Sequence, residues 1–237
     1  RIISRVGVGT DSIDLISAKS QFVHIATTPN SPVQAVAEHT LALLLSSMKH
    51  IPQYNQQMRE DNQTITSNSL LAGKTVGIAG IGRVGSRVAE MLEALGCQIC
   101  FFDPLFSREP PLTWKRFNSL EDMIGNVDIL SLHSSPLPDG TPLITRDMLA
   151  VAGGLILVNT ARGSLINEQD LISALDSGCV SAAALDVFPT EPYTGGLLNF
   201  PQVIVTPHVA SNTTESRAQM EMEAVDNLIH YFTEINP

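Results

Sequence analysis

The chain has 237 residues, 43% of them hydrophobic and 16% charged, an ordinary globular mixture rather than a disordered one. That length admits one large α/β domain plus a smaller piece and excludes two full doubly wound domains. With 14 Lys and Arg against 24 Asp and Glu the net charge is -10, so no broad basic surface is available to neutralise a phosphate backbone, and nucleic acid is not expected as a partner.

The chain opens at Arg1, directly inside an apolar β-like run from Ile2 to Val8, which suggests a segment upstream. Residues 1 to 29 offer two short strands, near 2 to 6 and 22 to 26, around a helix near 13 to 19, a unit too small to bury a core alone. Pro32 then opens a helical pattern reaching about Glu60, with Val33, Val36, Ala37, Thr40, Leu41, Leu44 and Leu45 on the inner side. Proline suits a first turn because its missing N–H had no partner there, and a break is expected near Pro52. Asp61 to Ser69 is polar and reads as a loop.

From residue 70 onward apolar runs alternate with amphipathic stretches, as a parallel sheet with crossover helices requires. The expected strands are Thr75 to Ala79, Gln98 to Phe102, Val127 to Leu132, Leu155 to Asn159, Ala182 to Asp186 and Val203 to Thr206. Six is the number of a complete dinucleotide fold. Helices are expected at 83 to 95, 119 to 125, 145 to 151 and 167 to 177, with Gly96 and Gly178 where helices should stop. The tail, 213 to 235, reads as one helix capped by Asn212 and Glu215, with Met222, Val225, Ile229 and Phe232 on one face packing back on the first segment.

The fold class is therefore α/β, a doubly wound parallel Rossmann sheet with a partial second domain. Leu41 to Leu45 falls far below the roughly 18 apolar residues that span a bilayer, and no basic, apolar, small-residue leader opens the chain, so no membrane association is expected. Cys97, Cys100 and Cys179 form an odd set without metal-ligand spacing, which fits buried thiols in a reducing compartment, the cytoplasm, and no metal site.

One motif carries nucleotide chemistry on its own. Val76 to Gly85 runs as strand, then Gly-x-Gly-x-x-Gly, then helix. Gly80 permits the tight turn, Gly82 lets the backbone approach a pyrophosphate, Gly85 lets helix and strand pack closely, and the helix N-terminus offers N–H groups and positive potential. Asp103 ends the second strand 18 residues after Gly85, where a carboxylate accepts from both ribose hydroxyls and repels a 2′-phosphate. NAD is thus preferred over NADP, with Arg108 near enough to allow a mixed preference. The plainer reading of Asp103 is a turn residue before Pro104.

Taken together, AGIGRVGSRVAE, FFDP, NTARGSLINEQDL, ALDVFPTEP and VTPHVASNT, with GVGTDSIDL at 7 to 15 and VAEHTLALLL at 36 to 45, resemble the D-isomer-specific 2-hydroxyacid dehydrogenases, the family of phosphoglycerate dehydrogenase and hydroxypyruvate reductase. The resemblance runs along almost the whole chain. It implies hydride transfer between NAD and a small 2-hydroxy or 2-keto acid. It also implies three domains of sequence: a partial substrate domain at 1 to 29, the NAD-binding Rossmann domain at 30 to 208, and a C-terminal helix at 209 to 237 that returns to the substrate domain.

By this resemblance Arg162 holds the substrate carboxylate and polarises its keto oxygen, a task for a planar, permanently charged fork. His208 is the acid/base, since an imidazole with an ordinary pKa of about 6.5 exchanges protons in both directions near neutrality. Glu191 orients that ring, although alone it would read as a loop charge before Pro192. Arg83 and Val84 match phosphate-loop contacts, Ser134 a residue near the adenosine half, and Thr160 and Ala161 the segment facing the nicotinamide. Asp186 matches the acid that bonds the carboxamide, or a turn carboxylate on bare physics, and Val209 to Ser211 line the same end, with Ser211 counted as a cofactor contact. Arg5, Gly7, Val8 and Gly9 match the loop that holds the substrate carboxylate, Val8 also reaching the cofactor, whereas Asp11 and Asp14 look like helix caps.

The family's dimer-forming arm is matched by Val36 to Leu45 and the helix after it, so a homodimer is expected; an intramolecular core helix is the plain alternative. Val151 to Gly154 and the loop Ser134 to Gly140 depart from the family's usual pattern, and no regulatory domain is encoded in these residues. One arginine recognises any carboxylate, so it defines the class of acid and not its side chain. An alternative from another class is a catalytically inactive NAD(H)-binding module or sensor; retention of Arg162, Glu191 and His208 speaks against it.

Overall fold

The computed structural model describes residues 1–61 and 64–235, so residues 62 and 63 of the expected loop at 61 to 69 lie outside the described residues. In chain order the first elements are β1 (Ile2–Ser4), α1 (Leu15–Ser20), β2 (His24–Ala26), α2 (Val33–Met48) and α3 (Ile51–Arg59). Next come β3 (Thr75–Ala79), α4 (Arg83–Ala94), β4 (Gln98–Phe102), β5 (Lys115–Arg116), α5 (Leu120–Ile124) and β6 (Ile129–Leu132). Then follow α6 (Arg146–Ala150), β7 (Leu155–Asn159), α7 (Glu168–Ser177), β8 (Val180–Leu185), β9 (Val203–Val205) and α8 (Thr214–His230). Contacts divide the chain into two compact units, Arg1–Val36 together with the stretch from Ala210, and Ala37–Val209.

In the first unit β1 and β2 pair in parallel, Ile3 opposite Ile25. Asp14 caps α1, its carboxylate accepting from the Ser17 N–H at 2.8 Å and the Ser17 hydroxyl at 2.6 Å. Those bonds hold the Asp14 carboxyl below the usual range. The N-cap of α8 is Thr213, which accepts from the Ser216 N–H at 3.0 Å, rather than the expected Asn212, because the bend that ties the Thr213 N–H to the Ser211 carbonyl delays helix entry by one residue.

The packed face of α8 also differs from the expected one. Met222, Val225, Ile229 and Phe232 are all exposed, whereas Ser216, Met220, Ala224 and Tyr231 are buried. Small Ala224 allows the Ser4 hydroxyl to reach its carbonyl at 2.8 Å, Asn227 donates to the Thr27 carbonyl at 3.0 Å, and Tyr231 stacks on His24 with ring centroids 5.4 Å apart. Backbone-directed hydrogen bonds set this face, and an apolar stripe alone does not reveal them.

In the second unit seven parallel strands lie in the order β5-β4-β3-β6-β7-β8-β9. The sequence offered six. The seventh, β5, is two exposed cationic residues pairing with Cys100 and Phe101, an edge position that needs no apolar run. Winding reverses between β3 and β6, the crevice where open α/β sheets take their ligands.

Both sheet faces are covered, and the strands alternate between them with period two. Val76, Ile78, Ile99, Phe101 and Ile129 pack against Ala37, Leu44 and Met48 of α2 and Val88 and Leu92 of α4. Leu130, Leu132, Leu155, Leu157 and Leu185 pack on the other side against Leu120 and Met123 of α5, Leu149 of α6 and Leu171 and Leu175 of α7. Residues 37 to 48 of α2 therefore serve an intramolecular core. The break expected near Pro52 occurs, since the proline ring conflicts with the carbonyl four residues back, at Met48, and His50 turns the chain with a φ of 50°.

Candidate active site

Each of the three glycines of the nucleotide turn has its own physical reason. Gly80 leaves β3 with a φ of 93°, and a Cβ there would lie 2.8 Å from the His133 carbonyl carbon and the Ser134 nitrogen. A Cβ on Gly85 would fall on the Gly80 carbonyl oxygen, whereas one on Gly82 would meet no protein atom within 4 Å. Gly82 is the N-cap of α4 and brings no side chain to the first N–H groups of that helix, which include those of Arg83 and Val84.

Asp103 follows β4 and is wired into the same turn, accepting the Ile81 N–H at 2.9 Å on Oδ2 and the Leu105 N–H at 2.9 Å on Oδ1. Across the crevice the Ser134 hydroxyl oxygen is enclosed and has no hydrogen-bond partner among the described residues. The residues present thus fit a dinucleotide: an open glycine at a helix N-terminus for phosphates, a fixed carboxylate for ribose, and an enclosed hydroxyl in want of a bond. His133 supports the turn from beneath. Its Nε2 lies 2.8 Å from the Ser131 hydroxyl, and burial pushes the imidazole down to about 4.

The carboxyl ends of β7, β8 and β9 carry the second set of residues. After β7, Asn159 is 1% exposed; its amide donates to the Arg162 carbonyl at 2.8 Å and its oxygen accepts the Ala161 N–H at 3.0 Å. This Asx turn fixes the backbone that projects Arg162, whose Nη1 donates to the Ala161 carbonyl at 2.6 Å. Thr160 directs its hydroxyl to that of Thr40, 2.8 Å away, so it offers backbone rather than side chain to any ligand. Gly163 is forced, since a Cβ there would fall on the backbone of Phe188 and Pro189. The Arg162 turn and the loop that carries Glu191 therefore touch backbone to backbone.

Glu191 is held at both carboxylate oxygens: Oε1 accepts the Phe188 N–H at 3.1 Å and Oε2 lies 2.9 Å from His208 Nδ1. A mostly apolar cavity of about 450 Å³ adjoins it, lined by Phe188, Pro192, Tyr193, Leu198, Val205 and Pro207. His208 follows β9 in a left-handed conformation, φ 54°, and its N–H donates to the Asp186 carbonyl at 2.8 Å. The Asp186 carboxylate, fully buried at the end of β8, accepts the Val209 N–H at 2.9 Å and the Thr206 hydroxyl at 2.5 Å. Geometrically, a carboxylate faces one imidazole nitrogen and leaves the other, Nε2, for a reacting proton.

Thus Gly80, Gly82, Arg83, Val84, Gly85, Asp103, Ser134, Thr160, Ala161, Arg162, Asp186, Glu191 and His208 all belong to the second unit, at the carboxyl end of one sheet. Arg5, Gly7, Val8, Gly9 and Ser211 belong to the first unit. There the Gly7 N–H donates to the Thr28 hydroxyl at 2.8 Å, and Arg5 Nη1 to the Ser12 hydroxyl at 3.0 Å. Sequence reasoning missed Asn159, Gly163, Thr206, His39 and Thr40. An Asn ending an apolar strand was a usable signal for the first; the others depend on contacts distant in sequence.

The family described as D-isomer specific 2-hydroxyacid dehydrogenase, NAD binding domain, matches residues 41–210. The D-3-phosphoglycerate dehydrogenase of Mycobacterium bovis is 36% identical over 234 residues, 96% of this chain but 44% of that protein. The glyoxylate reductase of Aeropyrum pernix is 35% identical over 245 residues, covering 98% of this chain and 73% of that one. Among solved structures, the NADPH-dependent glyoxylate/hydroxypyruvate reductase of Sinorhizobium meliloti, in complex with NADP and malonate, superposes with a TM-score of 0.90 at 31% identity, over 99% of this chain and 75% of that one. The chain belongs to the D-isomer specific 2-hydroxyacid dehydrogenase family, and its NAD-binding domain is a Rossmann fold. It spans less than half the length of the phosphoglycerate dehydrogenase it matches.

Proposed function

We propose that the protein carrying this chain is an NAD-dependent oxidoreductase acting on a small 2-hydroxy or 2-keto acid. NADH, when bound, supplies the hydride. Arg162 holds the substrate carboxylate and draws charge from the keto oxygen. His208 gives that oxygen a proton from Nε2, and takes one back in the reverse direction. Glu191 keeps the ring in the tautomer and orientation that make this transfer productive, as its contact with Nδ1 requires.

The observation that supports this reading above the rest is the 2.9 Å Glu191–His208 pair at the same carboxyl end of the sheet as the glycine turn. Its test is NADH oxidation with glyoxylate, hydroxypyruvate, pyruvate and 3-phosphohydroxypyruvate, in wild type and His208→Ala. Loss of general acid catalysis costs about 10²- to 10⁴-fold, so the variant is expected to bind NADH normally and turn over slowly. Full turnover in His208→Ala overturns the assignment.

Three further proposals accompany it. Residues 1 to 29 are part of a substrate domain to which the C-terminal helix at 209 to 237 returns, and residues 30 to 208 are the Rossmann domain, with Arg5, Gly7, Val8 and Gly9 on the substrate side. The protein is a homodimer through α3 and the segment after it, where Ile51, Met58, Ile65 and Leu70 are 54%, 63%, 89% and 74% exposed; a monomer in sedimentation refutes this. It resides in the cytoplasm, consistent with three free cysteines, of which Cys97 and Cys100 have thiols pushed up by burial; recovery in a secreted fraction refutes this. No described helix is long and apolar enough to cross a membrane.

A further inference from the structure

Behind the Glu191–His208 pair lies a second histidine–carboxylate arrangement that the proposed chemistry does not use. Asp186 is 0% exposed, and a buried carboxylate persists only where hydrogen bonds replace its water. Oδ1 takes the Thr206 hydroxyl at 2.5 Å and the Val209 N–H at 2.9 Å, and stands 3.4 Å from His39 Nε2. Thr206 Oγ1 is itself 3.1 Å from that same Nε2.

Proton accounting fixes the direction of this chain. A hydroxyl has one proton, and Thr206 gives it to a carboxylate that can only accept. The Thr206–His39 contact is therefore a hydrogen bond only if Nε2 carries the proton. The order runs His39 Nε2–H to Thr206 O–H to Asp186 Oδ1, which the Val209 N–H meets from the other side.

The far end of that chain is the turn that presents His208. At φ 54° His208 sits where non-glycine residues are uncommon, so its surroundings must hold it there. Its N–H donates to the Asp186 carbonyl at 2.8 Å and the Thr206 carbonyl at 3.0 Å. Both acceptors of the strained residue thus belong to the two residues that His39 engages. The next residue of α2, Thr40, bonds Thr160 after β7. Adjacent residues of one helix consequently tie together the ends of β7, β8 and β9.

We propose that His39 is a positioning residue, an Nε2–H donor that fixes Thr206 and Asp186 and, through them, the turn that aims His208. Its kinetic consequences rest on the functional reading above; its tautomer does not. In imidazole NMR correlation spectra of nitrogen-labelled protein, His39 is expected as the Nε2–H form, and an Nδ1–H form overturns the proposal.

His39→Leu is expected to lower kcat about tenfold, the effect of losing one hydrogen bond to a buried polar group. The keto-acid KM and the Kd for ADP-ribose are expected to stay within about twofold. His39→Gln keeps an N–H donor and is expected to restore most of kcat. An unchanged kcat in His39→Leu overturns the proposal, as does an equal fall in both variants at wild-type urea midpoints. Should wild type reduce no 2-keto acid, the functional reading fails and the spectra decide. Displaced His208 imidazole signals in His39→Leu but not in His39→Gln then support the proposal, and unmoved signals in both overturn it.

Discussion

Acid should weaken this fold through one histidine, and the size and sign of the effect follow from its surroundings. Burial pushes the His133 imidazole from the ordinary 6.5 down to about 4. A group whose folded value lies below its unfolded one binds fewer protons when folded. Its contribution to stability is therefore whole above about pH 6.5 and is lost as the pH falls toward 4. At 1.36 kcal/mol per unit, a gap of about 2.5 units amounts to about 3 kcal/mol at full extent, of which about 2 kcal/mol is gone by pH 5. Against a typical domain stability of about 5–15 kcal/mol that is a large fraction.

The assay is urea unfolding of wild type and His133→Gln at about pH 7.5, 6 and 5. Glutamine cannot charge but can still bond the Ser131 hydroxyl, which lies 2.8 Å from His133 Nε2. Every other ionisable group is common to both proteins and cancels in the difference. The lowered carboxyls of Asp14, Asp128 and Asp139 in any case act at lower pH, as protonation proceeds below their ordinary 3.8. Wild type is expected to lose about 2 kcal/mol more than the variant between pH 7.5 and 5. Parallel loss in the two proteins refutes the reasoning.

Two other predictions follow from close contacts. Gly163→Ala drives a methyl into the backbone of Phe188 and Pro189, an overpacking expected to cost about 1–3 kcal/mol and to lower turnover by displacing Arg162; a wild-type urea midpoint refutes it. Asp103→Ala removes the repulsion of a 2′-phosphate and also leaves the Ile81 and Leu105 N–H groups without their acceptor. The Kd for NADH is expected to rise about tenfold and that for NADPH to change less, so equal losses in paired fluorescence titrations refute the ribose role.

What the sequence revealed and what it hid divide along a physical line. Strands β3, β4 and β7 were legible to the residue because a run covered on both faces has to be apolar throughout. The glycine turn was legible because it needs particular residue types in a fixed order, and the Glu191–His208 contact was legible only through the resemblance to a known family, since neither residue stands out by itself. β5 was hidden because an edge strand of Lys115 and Arg116 has no core to face. The packed face of α8 was hidden because the Ser4 hydroxyl bonds the Ala224 carbonyl of the helix and the Asn227 side chain bonds the Thr27 carbonyl, contacts that leave no apolar period. Gly163 was invisible as a requirement, since only the arrival of Phe188 and Pro189 from another strand creates the conflict.

The same distinction explains why the acid/base pair is built on loops yet held firmly. Glu191 and His208 are 37% and 47% exposed at their side chains, and surface pairs of this kind contribute little to stability by themselves. Their geometry has to be imposed from behind. For Glu191 the Phe188 N–H supplies it, in a loop that Gly163 allows the Arg162 turn to meet. For His208 the supply comes from Asp186 and Thr206, with buried Asn159 performing the same service for Arg162 one strand along. Two adjacent strand ends thus carry a buried polar residue, Asn159 or Asp186, behind a more accessible reactive one, Arg162 or His208. The buried partner bears the cost of order, and the exposed partner is left able to meet a substrate.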